Sequence, residues 1–86
     1  MNYSELQKKV WDVCQSEGWK KDWANGGCYL HLEASELIEA LRGKSEDPTT
    51  EGGDVLFTLM ALLANYEINI DDCAAALIKK IERAGH

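Results

Sequence analysis

Apolar residues recur at helical spacing over four stretches of the chain, separated by polar or glycine-containing segments. In the first stretch Leu6, Val10, Val13 and Cys14 share a face. Its opening, Ser4-Glu5-Leu6-Gln7, reads as a capping box, in which the serine and glutamine side chains satisfy each other's backbone amides, and Gly18 ends the helix. Residues 18–27, with Trp19, Lys20, Lys21, Trp23 and the Gly26-Gly27 pair, read as a loop. A second helix is expected from about Cys28 to Arg42, with Leu30, Ala34, Leu37, Ile38 and Leu41 as its apolar stripe and Gly43 as its C-cap. The polar turn 44–50 launches a third helix, capped by Thr49 or Thr50 and running to about Asn65. From Val55 to Ala64 this helix is apolar nearly all round, which marks it as buried, either centrally or at a subunit interface. A fourth helix starts near Asp71 as N-cap and runs to Arg83, with Gly85 closing it. Alternation with period two never lasts more than a few residues, so no strand is expected.

Four helices with short connections predict an all-α, four-helix bundle-type fold, and 86 residues make one domain, 1–86. A domain this small leaves apolar surface uncovered, so self-association is expected. Composition adds two exclusions. The formal charge of −6 argues against gripping a nucleic-acid polymer, which needs a basic surface. It leaves room for a small phosphorylated ligand if cations lie between it and the acids. Cys14, Cys28 and Cys73 are odd in number, with no CxxC pair and no zinc-ligand spacing, and read as small core residues of a reducing compartment. The N-terminus, Met1-Asn2-Tyr3-Ser4-Glu5, is polar and lacks a signal-like apolar run, and the stretch Val55–Ala64 is about half a membrane span, so a cytoplasmic location is expected.

The candidate chemistry lies in two acidic pairs. On a wheel of about 100° per residue, with Leu30 at zero, Glu33 falls about 60° and Glu36 about 120° to one side of the apolar stripe, while Glu39 points away. Ala40 lies between Glu33 and Glu36 and is too small to block the ledge they form. In the third helix Glu51 and Asp54, also at i and i+3, share a face whose next positions, Thr58 and Ala61, are small. Two such pairs on facing antiparallel helices would gather four carboxylates, and their mutual repulsion would call for bound cations. An all-oxygen ligand set without His or Cys suits a hard ion, Mg²⁺ or Mn²⁺. Solvated helix faces carry ExxE too, and acids in a first turn complement the helix dipole, so spacing alone leaves both uses open.

The segment His31-Leu32-Glu33-Ala34-Ser35-Glu36-Leu37-Ile38-Glu39-Ala40-Leu41, followed by Glu51-Gly52-Gly53-Asp54-Val55-Leu56-Phe57, resembles the MazG family of nucleotide pyrophosphohydrolases. The shared pattern is ExxE, a spacer, then ExxD, with matching flanks, and the resemblance extends over about residues 28–84. It implies an all-α bundle assembled as a dimer or a dimer of dimers. It further implies Mg²⁺-dependent cleavage of nucleoside triphosphates between the α and β phosphates, with Glu33, Glu36, Glu51 and Asp54 as metal ligands. Glu36 is then the candidate to orient or deprotonate the attacking water. Lys79-Lys80-Ile81-Glu82-Arg83 partly resembles the family's basic tail, with Lys79 at its Asn position and Ala84 in place of its last Arg. Lys80 and Arg83 are therefore the candidate phosphate contacts, and dipole-complementing cations the alternative.

Trp23, in polar surroundings, is the candidate to stack on a base, a contact worth about 1–3 kcal/mol, with core packing as its alternative use. Trp11 reads as packing or interface and His31 as an ordinary surface or packing residue. The expected role is house-cleaning of the nucleotide pool, with a dCTP-like or non-standard nucleotide as substrate. The competing functions are a phosphoribosyl-ATP pyrophosphatase-like enzyme of the same superfamily and a non-catalytic helical oligomerisation or regulatory module.

Overall fold

The computed structural model describes residues 1–18, 26–44 and 47–85, with the side chains of 26–28 excepted. It is all-helical among these residues, in the order α1 (Tyr3–Ser16), α2 (Gly26–Leu41), α3 (Pro48–Asn65) and α4 (Ile70–Arg83). The all-α, four-helix expectation is borne out. No helix is long and apolar enough to cross a membrane among the described residues.

The helix starts differ from those expected. Asn2, not Ser4, caps α1, accepting from the Glu5 amide at 2.8 Å. Asp47, not Thr49 or Thr50, caps α3, accepting from the Thr50 amide at 3.2 Å, with Pro48 in the first turn, where its missing N–H costs nothing. Asn69, not Asp71, caps α4, accepting from the Asp71 amide at 2.8 Å. In each case an Asn or Asp with extended backbone stands just before the helix and takes the amide. The ends follow the glycine logic at Gly43, whose φ of 74° lets Lys44 N–H reach Glu39 C=O at 3.0 Å. The turn after α3 closes the same way, Ile68 N–H to Leu63 C=O at 2.9 Å, but the left-handed position is held by Glu67 at φ 59°.

The core joins Val10 and Cys14 of α1 to Met60 and Ala61 of α3, flanked by Leu6, Trp11, Phe57 and Ile70. Trp11 is thus a packing residue, and burial pushes the Cys14 thiol up, keeping it inert. The capping box at Ser4 and Gln7 is absent. Ser4 Oγ instead lies 2.9 Å from Asn69 Oδ1 and also bonds the Asp71 carboxylate. Gln7 is buried, and its side chain bridges α3, the α3–α4 connection and the start of α4. Its Nε2 donates to Ile68 C=O at 2.9 Å and Met60 C=O at 3.3 Å, and its Oε1 accepts from the Ile70 amide at 2.9 Å. Gln7 falls on the Val10–Cys14 face, at i−3 and i−7, so it points into the protein where a capping glutamine would point outward.

α2 packs against α3, α3 also against α1, and α4 against α1 and α3. Of the apolar stripe read from the wheel, Leu30, Ala34 and Leu37 are half-buried, but the stripe is not fully covered. Ala40 is buried, whereas Ile38 and Leu41 are 50% and 68% exposed. The most buried position of the helix is thus Ala40, which falls between Glu33 and Glu36 on the wheel. The third helix is likewise less enclosed than its composition suggests. Thr58, Met60 and Ala61 are buried, but Leu56 is exposed.

Replacing Gln7 with Met keeps the volume and removes the three hydrogen bonds. Ile68 C=O and the Ile70 amide then lose their side-chain partner, at a cost of about 1–3 kcal/mol. Chemical denaturation is expected to show that loss, with faster exchange of the Ile70 amide. Glu67→Gly is expected to shift the midpoint the other way, by about 1 kcal/mol, because glycine carries no penalty in the left-handed region.

Candidate metal centre

α2 and α3 bring three carboxylates together. Glu33, Glu36 and Glu51 each offer an oxygen lying within 4.8 Å of the others. Glu33 and Glu36 are one helical turn apart on α2, and Glu51 stands in the first turn of α3, where the macrodipole favours negative charge. The dipole does not explain the burial. Glu51 is 6% exposed, Glu33 half-buried and Glu36 open to solvent. The cluster is therefore a site with a covered floor and an open rim.

Asp54 lies just outside that trio. It is exposed, and its backbone carbonyl accepts from Thr58 Oγ1 at 2.9 Å. Its charge still reaches Glu33, whose carboxyl is held above the ordinary carboxylate range. Burial is the largest cause, followed by the charges of Glu36 and Asp54, a hydrogen bond with Glu36 and the charge of Glu51. Glu33 Oε2 is buried with no hydrogen-bond partner. A carboxylate oxygen in that state is costly unless a cation meets it. An all-oxygen set with one such oxygen fits a hard divalent ion.

Between Glu51 and Asp54 stand Gly52 and Gly53. An added Cβ at either would meet nothing within 4 Å, so the chain's own packing does not require glycine there, and glycine inside a helix costs about 1 kcal/mol relative to alanine. The pair leaves the helix surface bare beside the carboxylates. Sequence reasoning passed over these glycines, although two adjacent glycines inside an otherwise strong helix were a visible signal.

Among the described residues, no hydrogen bond or ion pair joins the other site residues expected from sequence to the acids. Lys80 and Arg83 are exposed in the last turn of α4 and form no ion pair among the described residues. Trp23 lies outside the described residues. His31 is exposed on the outer side of α2, in a groove with Leu30, Ala34, Ser35 and Ile38.

The raised Glu33 carboxyl sets a pH dependence for the metal-free protein. The folded state keeps a proton that the unfolded chain has already lost, so this stabilisation is complete below the ordinary carboxylate value. It disappears as pH rises through the raised one. Melting temperature in chelator is expected to fall across that window. Glu33→Gln, which has no charge to repel its neighbours, should flatten the slope and melt above wild type at neutral pH. A wild-type curve identical to that of the variant would contradict the repulsion.

The MazG nucleotide pyrophosphohydrolase domain model matches residues 27–85, well over half of the chain. No curated protein and no solved structure matches it. The match spans both acidic pairs and the basic turn of α4, and the chain belongs to the MazG nucleotide pyrophosphohydrolase domain family.

Proposed function

We propose that the protein hydrolyses (deoxy)nucleoside triphosphates to the monophosphate and pyrophosphate, with Mg²⁺, or Mn²⁺ in its place, held by Glu33, Glu36, Glu51 and Asp54. The proposed setting is clearance of a dCTP-like or non-standard nucleotide from the cytoplasmic pool by a homo-oligomer of single-domain chains. One observation carries the reading: in a chain of this family, Glu33, Glu36 and Glu51 converge on one space, within 4.8 Å.

When bound, the ion neutralises the charge of the triphosphate and makes a water molecule more acidic. Glu33 and Glu51, on the covered floor, fix the ligand oxygens and exclude bulk water from one side. Glu36, at the open rim, is placed to orient the attacking water or take its proton. Asp54 adds negative charge on the same side, which an acidic cluster tolerates only with a cation present. Lys80 and Arg83 are assigned to phosphate oxygens, since both are exposed cations without an acidic partner among the described residues. Trp23 is assigned to stacking on the base. Gly52 and Gly53 leave a side-chain-free surface along which phosphate groups can approach.

The test is pyrophosphate release with Mg²⁺ over all ribo- and deoxynucleoside triphosphates, with phosphoribosyl-ATP included. At least one nucleotide should be turned over. Glu51→Gln should abolish the activity, and Glu36→Gln should lower kcat by about 10²–10⁴-fold, the range for loss of a general base. Turnover of phosphoribosyl-ATP alone would move the protein to the histidine-pathway type of enzyme. No turnover, together with no divalent-ion uptake, would make it a non-catalytic module. Gly52→Ala is expected to raise stability by about 0.5–1 kcal/mol while lowering kcat/KM, a split that simple helix repair would not produce.

A further inference from the structure

Glu67 stands where glycine is the ordinary residue. It holds the left-handed position of the turn after α3, at φ 59°, although a side chain makes that conformation unfavourable. A glycine would remove the strain, so the carboxylate is kept although it lowers stability. Backbone outliers that persist in this way collect where a fold handles a ligand. No hydrogen bond or ion pair engages the Glu67 side chain among the described residues, so folding does not explain it.

Glu67 lines a groove of about 400 Å³ between α1 and the α3–α4 connection, and Trp11 lines it from the side of α1. Ligand sites have volumes of about 300–1,000 Å³, and this one is at the small end. The groove lies at the C-terminal end of α3, the negative end of its dipole, and the last turn of that helix carries no basic residue. The positive end of α4 is nearby but is already met by Asp71 and Asp72. Lys8, which also lines the groove, is paired with Asp12 at 3.1 Å. A carboxylate, a helix C-terminus and an indole ring remain, and each attracts a cation.

The acceptors narrow the class of cation. Asn69 Oδ1 already accepts from Ser4 Oγ at 2.9 Å and from the Asp71 amide at 2.8 Å, and Ile68 C=O accepts from Gln7 Nε2 at 2.9 Å. A primary ammonium would leave water for a groove whose oxygens are largely taken, which is unfavourable. An ammonium nitrogen that carries only alkyl groups has no N–H to satisfy. It needs opposite charge and apolar surface, and Trp11, Ala64 and Ile68 supply the surface.

We infer that this groove is a second ligand site and that it takes a small quaternary ammonium compound, its charge held between the Trp11 ring and the Glu67 carboxylate. The groove is at the opposite end of α3 from Glu51 and Asp54 and stands whatever those residues do. The test is a nitrogen–proton NMR titration at constant ionic strength with three probes. These are choline, its uncharged isostere with a tert-butyl group in place of the trimethylammonium, and methylammonium. Choline should shift the Trp11 indole and the amides of 67–69 saturably, and the other two should bind more weakly. Glu67→Gln should weaken choline binding about fivefold, the size of one partly exposed charge contact. Glu67→Gly should weaken it as much while melting above wild type. Glu51→Gln, which removes an equal charge at the far end of α3, should bind choline as wild type does. No saturable shift at the groove, binding of either control probe as tight as that of choline, or equal affinity in wild type and the Glu67 variants overturns the proposal. So does an equal loss in Glu51→Gln and Glu67→Gln.

Discussion

Carboxylates repel one another, and the seam between α2 and α3 holds Glu33, Glu36 and Glu51 close together with Asp54 pressing from outside. At Glu33 the repulsion adds to desolvation, and one of its oxygens is buried with no hydrogen-bond partner. A fold chosen for stability alone would turn these side chains outward. The opposite occurs: Glu51 is buried and Glu33 is half-buried, with the buried Ala40 on the same side of α2. The family match follows the same geometry, since it spans the two helices that supply the acids.

The rest of the molecule holds that seam in place. α3 supplies Glu51 and Asp54 at one end and core residues Met60 and Ala61 farther along, so its position is fixed by packing on α1. Gln7 ties α1 to the connection beyond α3, and Asn69 starts α4 from the same point. Stability gathers at the α1–α3–α4 junction, away from the carboxylates. This separation lets the acidic cluster carry unfavourable charge and two helix-weakening glycines without unravelling the helix that bears them.

Most of this arrangement was legible in the sequence, for identifiable reasons. Helical periodicity marks all four helices, and the paired i, i+3 spacing puts Glu33 with Glu36 and Glu51 with Asp54 on shared faces. The uneven cover of α2 was not legible. The wheel ranks faces by hydrophobicity, whereas the small Ala40 at the stripe's edge is buried and Ile38 and Leu41 are left exposed. The three caps were misplaced by a residue or more because several Ser, Thr, Asn and Asp residues stand near each start. Which of them takes the extended backbone is settled by tertiary contacts such as those of Ser4 with Asn69 and Asp71. Gln7 matched a local capping motif and was claimed by a buried, long-range role instead. The basic turn of α4 and Trp23 depend on how distant segments are brought to the acids, which spacing along one helix does not report.

The account stands on a divalent cation lying among these carboxylates, and a Mn²⁺ titration followed by electron paramagnetic resonance tests that directly. Free Mn²⁺ gives a sharp signal that is lost on binding. Saturable loss of signal with wild type, reversed by excess Mg²⁺ and absent in Glu51→Gln, is the predicted result. A wild-type titration indistinguishable from that variant would contradict it.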